Sequence, residues 1–88
     1  MKLQPNQINS ITATFEEDRE NVSGVVRCTG ISIDASNAST DDIMSDEDEI
    51  YNALADDEFF TEDDNWQNDA ASVVAGQAGV SDSVVVID

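Results

Sequence analysis

The chain has 88 residues, 20 of them Asp or Glu against three Lys or Arg, and no His, which gives a formal net charge of −17. The charge excludes a direct grip on nucleic-acid phosphates or on an anionic membrane, since both need clustered cations and only Lys2, Arg19 and Arg27 are present. The absence of His removes imidazole acid–base catalysis and His-ligated metal sites, and the one cysteine, Cys28, excludes an intrachain disulfide and a Cys-rich metal centre.

This length fits a single small domain spanning 1–88, with residues 1–10 expected to fray. Leu, Ile, Val and Phe make up 21 of the 88 residues. That lies above the roughly 20% level below which a highly charged chain stays disordered. Self-repulsion works against compaction, so a folded but salt-sensitive domain is expected. The longest apolar run, Val84 to Ile87, is four residues, far short of the ~18 needed to cross a bilayer. The first ten residues lack the apolar stretch of a signal peptide, so a soluble, cytoplasmic protein is expected.

Along the chain, Ile11, Ala13 and Phe15 alternate with Thr12, Thr14 and Glu16, the period of a half-buried strand. Residues 18–21 form a polar turn, and residues 22–33, rich in β-branched side chains, form a second strand. Val26 and Cys28 share one parity, whereas Ile31 and Ile33 share the other; a β-bulge at Gly30 puts all four on the core face. Residues 34–41 are a loop by composition.

A helix over 42–56 follows, capped by Thr40 or Ser45. Ile43, Ile50, Tyr51 and Leu54 form its apolar stripe, and Asp42, Asp46, Glu49 and Asp56 form a second, solvent-facing acidic stripe. Residues 57–65 break the helix. Thr61 with Glu62, Asp63 and Asp64 reads as a new helix start, with Trp66, Ala70, Val73 and Val74 inward and Gly76 and Gly79 supplying the stop. Residues 80–87 read as a terminal strand covered on both faces or paired at the sheet centre. The expected fold is α+β: a small antiparallel sheet in the order β-β-α-α-β with two helices packed on it. An all-helical chain with a disordered N-terminal third is the alternative.

The strongest feature is the block from Asp41 to Asp64, in which 12 of 24 residues are acidic and none is basic. Solvated surfaces normally mix both signs, because like charges at i, i+4 destabilise a helix. The candidate partner-binding residues are Asp41, Asp42, Asp46, Glu47, Asp48, Glu49, Asp56, Asp57, Glu58, Glu62, Asp63 and Asp64, with Tyr51 and Phe59 or Phe60 interleaved as apolar contacts; the two phenylalanines read as either core anchors or an exposed contact. Duplex DNA carries one negative charge per ~1.7 Å of axis, and a helix rises ~1.5 Å per residue. A half-acidic helical segment therefore has a comparable charge density, and carboxylates at fixed spacing suit Arg and Lys sites built for phosphates.

In size, charge and its folded acidic block 41–64, the chain resembles the small DNA-mimic inhibitors of phages and mobile elements, including anti-CRISPR and anti-restriction proteins. The resemblance is compositional and involves no shared motif or fold. It implies a non-enzymatic inhibitor that occupies the DNA- or RNA-binding groove of a basic protein such as a CRISPR effector complex, a restriction enzyme, a repressor or a polymerase. The alternatives are an acidic adaptor or chaperone that shields a basic protein, and a weak calcium-binding module. No EF-hand loop fits, because starts at Asp34, Asp41, Asp46 or Asp56 all lack the glycine at position six. Asp82-Ser83-Val84 superficially matches an acyl-carrier attachment site but sits in a strand-like run. No nucleophile–base–orienter set exists without His, so no catalytic residue, cofactor or resident metal is expected.

Overall fold

The computed structural model describes residues 1–17 and 24–88. Their elements run β1 (Ile8–Glu17), β2 (Val25–Ala35), α1 (Thr40–Leu54), β3 (Phe59–Phe60), α2 (Trp66–Ala78) and β4 (Val85–Ile87), with 3-10 turns at Pro5–Gln7 and Asp82–Val84. The strands form one sheet in the order β3-β2-β1-β4. The architecture is α+β, and the all-helical alternative falls. The turn expected at 18–21 and the first residues of the second strand, 22–23, lie outside the described residues.

β1 and β2 pair antiparallel, and their register slips where Thr14 opposes Gly30 while Phe15 opposes Cys28. Thr29 is the extra residue, so the bulge sits beside Gly30 and corrects the parity of the strand. Val26, Cys28 and Ile33 are buried as a result, with Ile31 half-buried against the same core. A second slip between Ile8 and Ser10 keeps Ile8 inward with Ile11, Ala13 and Phe15. Phe15 anchors an aromatic group, with edge-on contacts to Phe59 at 5.5 Å and Trp66 at 5.7 Å between ring centroids.

Three strand expectations change, the first being that a two-residue strand, β3, stands between the helices, so the order is β-β-α-β-α-β. The sheet is mixed, because β4 pairs parallel with β1, Ile11 opposite Val85. The cause is the return path of the chain: the C-terminal end of α2 reaches Gly79, where a Cβ would lie 3.8 Å from Pro5 Cγ, just ahead of β1. β4 therefore starts at the end where β1 starts. β4 is also an edge strand, not a central one, and Val86 is 52% exposed. The apolar run divides between the 3-10 turn, which holds Val84, and the strand.

The helices start and stop by local chemistry. Ser39, and neither Thr40 nor Ser45, caps α1, its hydroxyl accepting from the Asp42 amide at 3.2 Å. α2 begins at Trp66 after a hydrogen-bonded turn, so Thr61 is not its cap. It ends at Gly79, which holds φ 71° and donates its amide to Ala75 O. Gly76 lies inside the helix. The buried face of α2 is Ala70, Val74, Ala75 and Ala78, with Trp66 and Val73 partly buried against the core.

Candidate functional site

α1 runs back alongside β2, and the chain then turns through 55–58 into β3, which pairs with Val25 and Val26. The acidic block therefore follows the β2–β3 side of the sheet and continues through the turn at 61–65. The interior stripe of α1 is Asp46, Ile50 and Leu54, at i, i+4 and i+8. Asp46 thus lies in the core stripe, not on a solvent-facing acidic one, and is 1% exposed. Its two carboxylate oxygens accept from the backbone amides of Lys2 at 2.8 Å and Leu3 at 2.7 Å. These bonds strap the N-terminal segment over the core and bury Leu3. Asp46 is a structural residue, and the partner-binding role expected of it is withdrawn.

Glu47 flanks the same stripe and accepts from the Ile33 amide at 2.8 Å, closing part of the outer edge of β2. It is half-buried, as is Asp42. Asp41, Asp48, Glu49 and Tyr51 stand exposed on the outer face of α1. Met44, 56% exposed, lies between Asp41 and Asp48 at helical spacing. Sequence reasoning passed it over, although the i+3 and i−4 relations to those two acids place it on their face. Tyr51, Glu47 and Asp48 line a hollow of about 250 Å³ against the bulge at Thr29 and Gly30.

Asp56, Asp57 and Glu58 are exposed in the turn after α1, and Glu62, Asp63 and Asp64 in the next one. The latter turn is pinned. The Thr61 amide donates to Gly24 O at 2.8 Å, the Asp63 amide to Phe60 O at 3.0 Å, and the Asn65 amide to Asp63 Oδ1 at 2.9 Å. Phe59 points into the aromatic group instead of outward, and its neighbour Phe60, 50% exposed, presents the apolar surface. The two expected roles divide, Phe59 being the core anchor and Phe60 the outward contact, because the strand alternates faces and Phe59 pairs with the buried Val26.

Among the described residues, two cationic groups pair with the flank: Arg27 meets Glu58 at 2.8 Å, and the Met1 ammonium meets Glu49 at 3.4 Å. Among the described residues, no three side chains of His, Cys, Asp or Glu converge to hold a metal ion. No helix among them is long and apolar enough to cross a membrane. No protein-family model, curated protein or solved structure matches the chain.

Proposed function

We propose that this protein is a non-enzymatic inhibitor whose acidic flank imitates a nucleic-acid backbone and occupies the basic groove of a DNA- or RNA-binding protein. The observation that carries the reading is the placement of the acids: Asp41, Asp48, Glu49, Asp56, Asp57, Glu58, Glu62, Asp63 and Asp64 are all exposed, on the helix that packs on β2 and in the turns on either side of β3, which also pairs with β2. α1, at 15 residues, is about 22 Å long at ~1.5 Å per residue. Five of its six acids, all but Asp46, remain at or near the surface within residues 41–49, about 12 Å of that length at ~1.5 Å per residue. Their mean spacing is close to the ~3.4 Å rise between phosphates of one DNA strand.

Rigidity supports the same reading. Carboxylates on a capped helix and in a hydrogen-bonded turn bind without the ordering cost that a flexible acidic tail bears. Met44, Tyr51 and Phe60 add exposed apolar contact within the flank, as a protein groove requires and a bare polyanion does not supply. The hollow beside Tyr51, lined by Glu47 and Asp48, suits a Lys or Arg side chain reaching in from the partner.

The test is competition. The immobilised protein is used to capture a partner from bacterial lysate at low salt, and the captured protein is then challenged with duplex DNA and with RNA. Displacement by excess nucleic acid is expected, as is release by raised salt. Retention of the partner under excess DNA and RNA rejects mimicry and leaves the acidic flank as a shield for a basic protein.

A further inference from the structure

The two edges of the sheet are treated differently. On the β2 side, Val25 and Val26 pair with β3, and the Ile33 amide donates to Glu47. The β4 side has no such cover among the described residues. In the β1–β4 ladder, the Asp88 amide donates to Ala13 O at 2.8 Å, and Asp88 O accepts from the Phe15 amide at 3.2 Å. Backbone groups alternate sides along a strand. Val86 and Asp88 therefore face β1, while the Val85 carbonyl and both backbone groups of Ile87 face away from it. The Val85 amide is already satisfied by Asp82 O in the preceding turn.

Beyond this edge lies a groove of about 430 Å³. Gln67, Asn68 and Ala71 of α2 line one side of it, Val85 and Ile87 of β4 the other, and Asp82 contributes a carboxylate. We propose that this edge is a docking site for an extended, Lys- or Arg-bearing segment of a protein partner, which adds to β4 as a fifth strand. The outward backbone groups of Val85 and Ile87 supply the ladder, and their half-buried side chains with Ala71 supply an apolar floor. Charge selects the occupant. No Lys or Arg lines the groove, Asp82 does, Asp88 follows the strand, and the chain as a whole carries −17. A cationic strand is attracted to this edge, whereas a second copy of the chain is repelled from it. The site lies on the α2–β4 side, away from the acidic flank, and stands whether or not that flank imitates nucleic acid.

The experiment uses the whole chain and a fluorescein-labelled peptide of alternating Lys and Val, read by anisotropy at about 0.15 M salt. Binding is expected, together with slowed hydrogen exchange of the Ile87 amide. The same peptide N-methylated at alternate amides keeps its charge but loses its bonding edge, and is expected to bind at least about tenfold more weakly. Ile87→Pro removes the outward donor without touching a bond to β1 and is expected to weaken binding by a similar factor. Ala71→Arg, which leaves β4 intact and fills the groove from the helix side, is expected to do the same. Neutralising Asp48 and Glu62 on the far flank is expected to change the affinity by no more than about threefold, the scale of screened long-range attraction. Equal binding of the N-methylated peptide overturns the proposal, since it reduces the interaction to charge alone. Absence of binding overturns it too, as does a dimer of the chain that Ile87→Pro dissociates.

Discussion

A carboxylate is tolerated in a core only when hydrogen bonds replace its water, and Asp46 holds two from backbone amides. Asp46→Ala is expected to leave the Lys2 and Leu3 amides without an acceptor and to release the strap that buries Leu3. We expect a loss of about 2–4 kcal/mol by urea denaturation. Asp48, two residues on, is exposed and surrounded by like charge, so Asp48→Asn should stabilise the fold by a few tenths of a kcal/mol. Opposite signs from neighbouring aspartates separate the acid that builds the fold from the acids that decorate it; equal signs would contradict the geometry. Cys28 yields a pH prediction. Burial pushes its thiol above the ordinary 9.0, so the folded state keeps its proton when the unfolded state has lost its own. The unfolded state then binds fewer protons, and stability falls as pH rises above 9.0. Urea midpoints on either side of that pH should drop more for the wild type than for Cys28→Ala.

At the scale of elements, the start of α1 is set by a side chain acting on backbone. Ser39→Ala removes the acceptor for the Asp42 amide and should cost about 1 kcal/mol in the urea midpoint analysis. The elements themselves were largely legible in the sequence, because period-two alternation and β-branched residues mark β1 and β2, and the parity change between Cys28 and Ile31 marks the bulge. Long-range choices were not legible. The parallel pairing of β4 depends on α2 delivering the chain beside Pro5, which no local pattern encodes. The cap of α1 was misassigned to Thr40 or Ser45 because both share the hydroxyl chemistry of Ser39, the residue that performs the role. Asp46 was misread for a different reason. Its spacing to Ile50 and Leu54 placed it in the apolar stripe, but its charge suggested solvent, and the amides that satisfy it come from more than forty residues away. Phe59 and Phe60 are adjacent and chemically equal, so only their register against Val26 and Val25 decides which one faces out.

At the scale of the whole molecule, the charge acts on stability and on binding with opposite signs. The molecule measures 41 × 23 × 16 Å, and the Debye length is ~30 Å at 0.01 M salt but ~8 Å at 0.15 M. In dilute salt nearly every carboxylate repels the others across the short axes; near 0.15 M only neighbours do. The melting temperature should therefore rise by about 5 °C over that interval, the shift that ~1 kcal/mol produces in a domain of this size, and then flatten. Capture of a basic partner should weaken over the same interval, since salt screens the attraction that holds it. A triple variant, Asp48→Asn with Asp57→Asn and Glu62→Gln, tests both signs at once. Three fewer repelling charges should raise the melting temperature and shallow its salt dependence. If the flank is a binding ridge, the same variant should lose at least about tenfold in partner affinity. Stability that rises while capture stays unchanged would show that these carboxylates only keep the protein in solution, and the partner-binding role would pass to some other surface.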